Sequence, residues 1–199
     1  VLLLSPLLEA FQNSFPKGVV NILYGRGRVL ATPIMETGKI DVLALIGHSS
    51  SANALQNSHP KSNRLRSVLG LEAKNPGILL PDADLDLAVD ECIAGTLSFN
   101  GQRCTALKIL YVHESIFDKF VGLIIDGAKK LKFGSPEDST TDISSMIDEK
   151  NAIRVEDWVN EAKSEGAKVL FGGNRKGSFY EPTVITNTKQ DMKVCALEI

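Results

Sequence analysis

Short apolar runs alternate with stretches of helical character along the first part of the chain, and this alternation limits the fold more than any other feature. Residues 19–23 and 41–46 are predicted to form buried strands, and residues 29–36 and 52–57 are predicted to form helices. Parallel strands need a crossover connection of this kind, usually a helix. The pattern therefore predicts an α/β fold, in which residues 1–67 form part of a doubly wound domain of the nucleotide-binding type.

The rest of the chain, residues 68–199, is predicted to form part of a second α/β domain. Apolar runs bounded by turn residues indicate strands in this part. These runs cover residues 68–71, 77–80, 108–112, 169–171 and 180–185.

Three helices of the second part are predicted from their ends. Asp84 is a good N-cap for a helix whose apolar stripe includes Cys92, and Ser115 begins a capping-box pattern. A further amphipathic helix over residues 148–165 ends before Gly166, which suits the position after a helix C-terminus. Because Cys92 lies on an apolar stripe, it is assigned to the core.

The composition excludes several classes of protein. The 199 residues carry a net charge of −2, with 43% hydrophobic and 23% charged residues. This composition is typical of a folded globular protein, and it does not provide the basic surface that nucleic-acid binding needs. The apolar stretch at residues 1–8 is far shorter than the roughly 20 residues of a membrane span. We therefore expect neither a nucleic acid nor a membrane as partner.

The cysteines and the ends of the sequence carry further information. The three cysteines are widely spaced and match neither a disulfide framework nor a metal-binding pattern, so we expect no metal and a reducing compartment, the cytoplasm. They are Cys92, Cys104 and Cys195. The sequence starts at Val1 without a methionine and stops at Ile199 within a segment, which we interpret as a piece of a longer protein.

Cys104 is the strongest candidate for chemistry. It follows a predicted amphipathic helix and precedes a predicted strand, so it lies on a loop held between two rigid elements, where catalytic groups are common. Arg103 is adjacent, and a nearby cation favours the nucleophilic thiolate. The alternative is a small loop cysteine without a chemical role.

Five ordered blocks of sequence resemble the aldehyde dehydrogenase superfamily. The segment 100–106, Asn-Gly-Gln-Arg-Cys-Thr-Ala, resembles its cysteine signature, and residues 15–22, 74–76 with 80–85, 181–184 and 191–194 resemble four further motifs. The Gln-Arg-Cys-Thr-Ala form, followed after one residue by Lys108, is most similar to the NADP-dependent, non-phosphorylating glyceraldehyde-3-phosphate dehydrogenases. The likeness covers nearly the whole chain and implies parts of that family's nucleotide-binding and catalytic domains.

The resemblance implies a reaction and a set of site residues. Cys104 would attack a small aldehyde, hydride would pass to NADP or NAD, and water would hydrolyse the thioester to a carboxylate. Glu198 matches the family glutamate that holds the nicotinamide ribose, and Gly47 matches a turn glycine beside the cofactor pyrophosphate. The alternatives are a solvated carboxylate for Glu198 and an ordinary turn glycine for Gly47.

The sequence departs from the family pattern at the general base. Alignment on the Lys-Asn-Pro at 74–76 puts Gly70 where the family has the glutamate that activates water. Glu72 lies two residues further on, and in a strand it would point to the same face, so it is predicted to replace that base. The alternative is an ordinary charged residue at a strand end.

Two other functions remain open at this point. The lost glutamate is compatible with a CoA-acylating semialdehyde dehydrogenase, in which a thiol rather than water accepts the acyl group. A truncated, non-catalytic chain that only binds a nucleotide or a partner is the alternative from a different class. The resemblance implies that the parent protein is a homo-oligomer, and we expect the isolated chain to be inactive.

Overall fold

The computed structural model describes residues 5–198 and divides into two compact units. The units are Val1–Leu71 and Glu72–Ile199. The division follows the end of a strand at Arg66–Gly70, whereas the boundary expected from the sequence, after residue 67, lies inside that strand. Each unit is described by itself below.

The first unit is a βαβ arrangement with two further helices. Its strands β1 and β2 pair in parallel, from Val42 opposite Arg66 to Ile46 opposite Gly70, and helix α3 is the crossover between them. The predicted alternation of helices and strands is therefore confirmed over residues 27–70. The elements are α1 (Ser5–Ser14), α2 (Gly27–Glu36), β1 (Val42–Ile46), α3 (Ser49–Ser58) and β2 (Arg66–Gly70).

The buried strand predicted at residues 19–23 is wrong. This segment forms no regular strand, and Val19 and Leu23 are 59% and 62% exposed. A strand needs a neighbour to satisfy its N–H and C=O groups, and within the described part of the first unit the only paired strands are β1 and β2. The apolar run is present, but no strand lies beside it.

The second unit begins with another parallel βαβ arrangement. Strands β3 and β4 pair in parallel, and helix α4 connects them and packs against α5. Cys92 is 7% exposed on α4 and belongs to the core, as predicted. The elements are β3 (Asn75–Leu79), α4 (Leu85–Leu97), β4 (Leu107–Val112) and α5 (Phe117–Lys129). The core that they share is formed by Leu79, Val89, Cys92, Phe120 and Ile124.

The cap predicted at Asp84 is confirmed, and Asp148 also caps the helix that follows it. The carboxylate of Asp84 accepts hydrogen bonds from the N–H groups of Asp86 and Leu87. The carboxylate of Asp148 accepts a bond of 2.8 Å from the N–H of Asn151.

The start predicted at Ser115 is wrong. A short 3₁₀ turn over Glu114–Ile116 comes first, and the helix begins at Phe117. The ring nitrogen Nδ1 of His113 accepts the N–H of Ser115, so the histidine, and not the serine, provides the cap.

The last part of the second unit packs two antiparallel strand pairs against a long helix. Strand β5 pairs with β8, and β6 pairs with β7. The single strand predicted at 180–185 is two strands, because Pro182 interrupts it and has no N–H to donate. Gly166 follows the helix with a φ of +103°, as its predicted position requires. The elements are α6 (Glu149–Ser164), β5 (Lys168–Phe171), β6 (Arg175–Lys176), β7 (Phe179–Tyr180), β8 (Val184–Thr186) and α7 (Lys193–Ala196).

Candidate active site

The loop that carries Cys104 begins with an unusual stretch of backbone. Phe99, Asn100 and Gly101 have φ values of +53°, +58° and +66°, so three consecutive residues adopt the left-handed conformation. A Cβ atom on Gly101 would lie 2.7 Å from the carbonyl oxygen of Thr96, so only glycine fits there. Such backbone costs about 1–3 kcal/mol per residue for residues other than glycine, and it persists only where its surroundings hold it.

Asn100 holds this strained stretch in place. Its side-chain nitrogen donates to the carbonyl oxygens of Ser144 and Ser145 at 3.1 and 3.0 Å, and its side-chain oxygen accepts the N–H of Ser144 at 3.0 Å. The amide therefore fastens the loop to the segment before α6. Asn100 was not predicted from the sequence, although asparagine is among the residues that adopt left-handed backbone most readily.

Asn75, at the start of β3, holds the other end of the loop. Its side-chain nitrogen donates to the carbonyl oxygens of Cys104 and Ala106 at 2.6 and 3.0 Å. The peptide group of Cys104 is thereby fixed directly, while the residue remains exposed. From the sequence, Asn75 is recognised only as part of a matching motif, because its partners lie about thirty residues away along the chain.

Arg103 is held by the loop itself. Its Nη2 donates to the hydroxyl of Ser98 at 2.6 Å, and its guanidinium lies over the ring of Phe99, 5.1 Å from the ring centre. A cation over an aromatic face is attracted to it. Two side chains of the loop therefore orient the charge that the sequence placed beside Cys104.

Lys108 links the loop to Glu198. Its Nζ donates to the carbonyl oxygen of Arg103 at 2.5 Å and lies 3.6 Å from Oε1 of Glu198. The side chain of Lys108 is only 5% exposed and that of Glu198 is 22% exposed. One lysine thus contacts both the peptide next to the predicted nucleophile and the predicted ribose-binding carboxylate.

A second lysine lies in the same region. Nζ of Lys74 donates to the carbonyl oxygen of Leu197 at 2.8 Å. Burial lowers the pKa of Lys74 to about 8; Cys195 and Glu198 act in the opposite direction, and Lys108 lowers it further. Lys74 lines a cavity of about 620 Å³ within the second unit.

The three cysteines differ in their environments. Cys104 is exposed and Cys195 is partly buried, and Cys195 lines the cavity just described. Burial, assisted by Glu91, raises the pKa of the Cys92 thiol. A buried thiol with a raised pKa is a poor nucleophile, so Cys92 has a structural role.

Glu72 does not occupy the strand position that the sequence analysis assumed. Strand β2 ends at Gly70 and β3 begins at Asn75, so Glu72 is an exposed residue on the connection between two strands. Gly70 and Glu72 therefore do not share one face of a strand, contrary to the prediction. The role of Glu72 as a base stays a prediction.

Gly47 lies in the first unit, in the turn between β1 and α3. Its N–H donates to the carbonyl oxygen of Gly70 at 3.0 Å, and helix α3 follows without a side-chain cap on its N-terminus. A helix N-terminus after the carboxyl end of a parallel strand is a good place for a phosphate group. A Cβ on Gly47 would meet its nearest neighbour, the side chain of Leu45, at 3.8 Å, so space alone does not require glycine.

Two other features, a membrane-spanning helix and a metal-binding cluster, are absent from the residues that the structure describes. Across residues 5–198, no helix combines the length and the apolar character that a membrane crossing requires. Within the same range, no three histidine, cysteine, aspartate or glutamate side chains cluster in a way that suits a metal ion.

Comparisons with known proteins identify the family. The model of the aldehyde dehydrogenase family matches residues 2–199. Retinal dehydrogenase 2 of Gallus gallus is 39% identical over 191 residues, which cover 94% of this chain and 37% of that protein. The chain therefore spans less than two fifths of the length of this relative.

Solved structures agree with the sequence relatives. Betaine aldehyde dehydrogenase from Staphylococcus aureus, in complex with NAD+, superimposes with a TM-score of 0.88 at 31% identity, over 96% of this chain and 39% of that one. NADP-dependent glyceraldehyde-3-phosphate dehydrogenase from Bacillus halodurans C-125, complexed with NADP, superimposes with a TM-score of 0.86 at 32% identity. The match covers 95% of this chain and 39% of that one. The α/β fold and the five sequence blocks are thus explained together: the chain belongs to the aldehyde dehydrogenase family.

Proposed function

We propose that the protein carrying this chain oxidises an aldehyde to a carboxylate with a nicotinamide dinucleotide, and that Cys104 is its nucleophile. The observation that carries the proposal is an exposed thiol on a loop that side-chain hydrogen bonds fasten to the strands and segments around it. Asn75, Asn100 and Lys108 each bond to a different part of it. A fixed backbone is what positioning a nucleophile against a carbonyl carbon needs.

The chemistry of the thiol follows from its surroundings. The sulfur of Cys104 adds to the aldehyde carbon, and the carbonyl oxygen becomes an oxyanion that the N–H of Cys104 can stabilise. A nicotinamide dinucleotide, when bound, supplies the hydride acceptor for the oxidation. Water then attacks the thioester at Cys104, with Glu72 as the base that takes its proton, and releases the carboxylate and the free thiol.

Two parts of the chain suit the cofactor. The turn at Gly47 and the uncapped N-terminus of α3 suit the pyrophosphate. The carboxylate of Glu198, held at 3.6 Å from Lys108, suits the hydroxyl groups of a ribose. We further propose that the first unit, with its turn at Gly47, is part of a nucleotide-binding domain, and that the second unit, which carries Cys104, is part of a catalytic domain.

The substrate is proposed from the loop. The Gln-Arg-Cys-Thr-Ala form followed by Lys108 favours NADP and glyceraldehyde 3-phosphate, and one of the similar structures is an NADP-dependent enzyme named for that substrate. We further propose that the parent protein is a homo-oligomer of the cytoplasm, where three free cysteines are stable. The 199-residue chain alone is proposed to be inactive.

A CoA-acylating reaction is the second candidate. It is favoured by Gly70 at the position of the family base and by the exposed placement of Glu72 on a connection. In that reaction a thiol takes the place of water as acceptor. Acyl transfer to CoA, compared with hydrolysis in its absence, separates the two candidates.

The test of the proposed function is a cysteine substitution with a matched control. Cys104→Ala in the protein carrying this chain should abolish aldehyde oxidation, and cofactor affinity should stay unchanged because the thiol contacts only the aldehyde. Cys195→Ala removes a thiol of the same unit and should retain turnover. If Cys104→Ala keeps more than a trace of activity, the assignment of the nucleophile is wrong.

A further inference from the structure

Lys74 has surroundings that no step of the proposed reaction uses. The side chain is partly buried, and it lines the cavity of about 620 Å³. Its Nζ donates at 2.8 Å to the carbonyl oxygen of Leu197, a neutral acceptor. A neutral carbonyl stabilises an ammonium group much less than a carboxylate does.

The charges around Lys74 come from two other elements. Lys108 on β4 repels a proton on Lys74, while Cys195 on α7 and Glu198 after it act in the opposite sense. Burial is the largest effect and brings the pKa of Lys74 to about 8. A lysine of this pKa carries a free amine in roughly a tenth of the molecules at pH 7, about two hundred times more than an ordinary lysine.

The cavity offers room and an apolar lining beside this amine. Leu97, Ile109 and Val184 are among the side chains that line it. A small carbonyl compound that places its carbon chain on these residues can bring its carbonyl group to Lys74. Desolvated lysines next to another cation are the ones that form Schiff bases in proteins.

We propose that Lys74 is a second carbonyl-reactive group of this chain and forms a Schiff base with small aliphatic aldehydes that enter the cavity. The amine nitrogen bonds to the aldehyde carbon, and the carbonyl oxygen leaves as water with the two protons of the amine. A C=N bond replaces the C=O bond, and nothing is oxidised or reduced. This chemistry is independent of Cys104.

The experiment traps the Schiff base in the protein carrying this chain. Propanal and cyanoborohydride at pH 7 convert it to a stable secondary amine, which peptide mass spectrometry assigns to a residue. Lys74 should be modified at least about tenfold faster than the exposed Lys119, since part of the advantage in free amine is lost to restricted access. Modification of Lys74 at the rate of Lys119, or slower, would overturn the proposal.

Two substitutions test whether neighbouring charges set the reactivity of Lys74, and they should change its rate of modification in opposite directions. Lys108→Met removes the repelling charge, so modification of Lys74 should slow. Glu198→Gln removes a negative charge that attracts the proton on Lys74, so modification of Lys74 should become faster. General damage to the fold would move both rates in the same direction, and that result would contradict the proposal. Cys104→Ala should leave the rate unchanged, so the outcome stands apart from that of the proposed dehydrogenase reaction.

Discussion

Asn100 gives the sharpest test of how the cysteine loop is held. Its amide makes hydrogen bonds of 3.0–3.1 Å to Ser144 and Ser145, on a backbone with a φ of +58°. At about 0.5–1.5 kcal/mol per bond, the three bonds amount to roughly 1.5–4.5 kcal/mol. Because the side chain is only partly buried, water can replace some of the lost hydrogen bonds. We therefore expect Asn100→Ala to lower the free energy of unfolding by about 2–3 kcal/mol.

Asn100→Gly separates the hydrogen bonds from the backbone strain. It removes the same bonds, but glycine adopts a positive φ freely, whereas alanine costs about 1–2 kcal/mol there. Glycine also has more conformational freedom in the unfolded chain, which reduces its advantage over alanine by about 0.5–1 kcal/mol. Asn100→Gly should therefore be less destabilised than Asn100→Ala, by up to about 1.5 kcal/mol.

Urea unfolding followed by the fluorescence of Trp158 measures both variants. Trp158 is the single tryptophan of the chain and packs against the core of the second unit, so its signal reports on the unit that contains Asn100. Asn160→Ala, at an exposed asparagine of helix α6 in the same unit, is the control. If Asn100→Ala falls within about 0.5 kcal/mol of this control, the amide does not hold the loop. If Asn100→Gly is less stable than Asn100→Ala, the strain argument is wrong.

Two further predictions concern the core and the base. Cys92→Ala should lower the free energy of unfolding by about 1–2 kcal/mol through a small cavity, with the same readout, and an unchanged urea midpoint would contradict the core assignment. Glu72→Gln, in the protein carrying this chain, should permit a stoichiometric burst of reduced cofactor and then slow steady-state turnover by about 10²–10⁴-fold, because acylation and hydrolysis use different groups. An unchanged steady state would make Glu72 structural and favour a thiol acceptor.

The sequence predicted correctly those features that depend on residues close together in the chain, such as helix caps and the buried faces of helices. Asp84 caps its helix as predicted, since a cap depends on N–H groups two or three residues away. Cys92 lies in the core because helical spacing identifies the buried face of α4. The strand at 19–23 failed for the opposite reason: its apolar pattern is local, but a strand exists only beside a partner that the pattern does not specify.

The candidate site was predicted in its residue types more than in its geometry. Cys104 was predicted from its position between a helix and a strand, and Glu198 from a motif, and the roles of both stay predictions. The contacts of Asn75 and Asn100 were missed because their partners are about 30 and 45 residues distant in sequence. Glu72 was placed on a strand that ends at Gly70, an error of the size expected at element boundaries.

The attachment of the cysteine loop to distant segments sets the order in which the chain can fold. The loop is complete only when Ser144 and Ser145 have met Asn100 and when Glu198 has reached Lys108. Contacts at such sequence separation form late, because the entropy of closing the intervening chain must be overcome first. During synthesis Cys104 emerges well before the residues that fix its loop, so we expect the loop to reach its final position late.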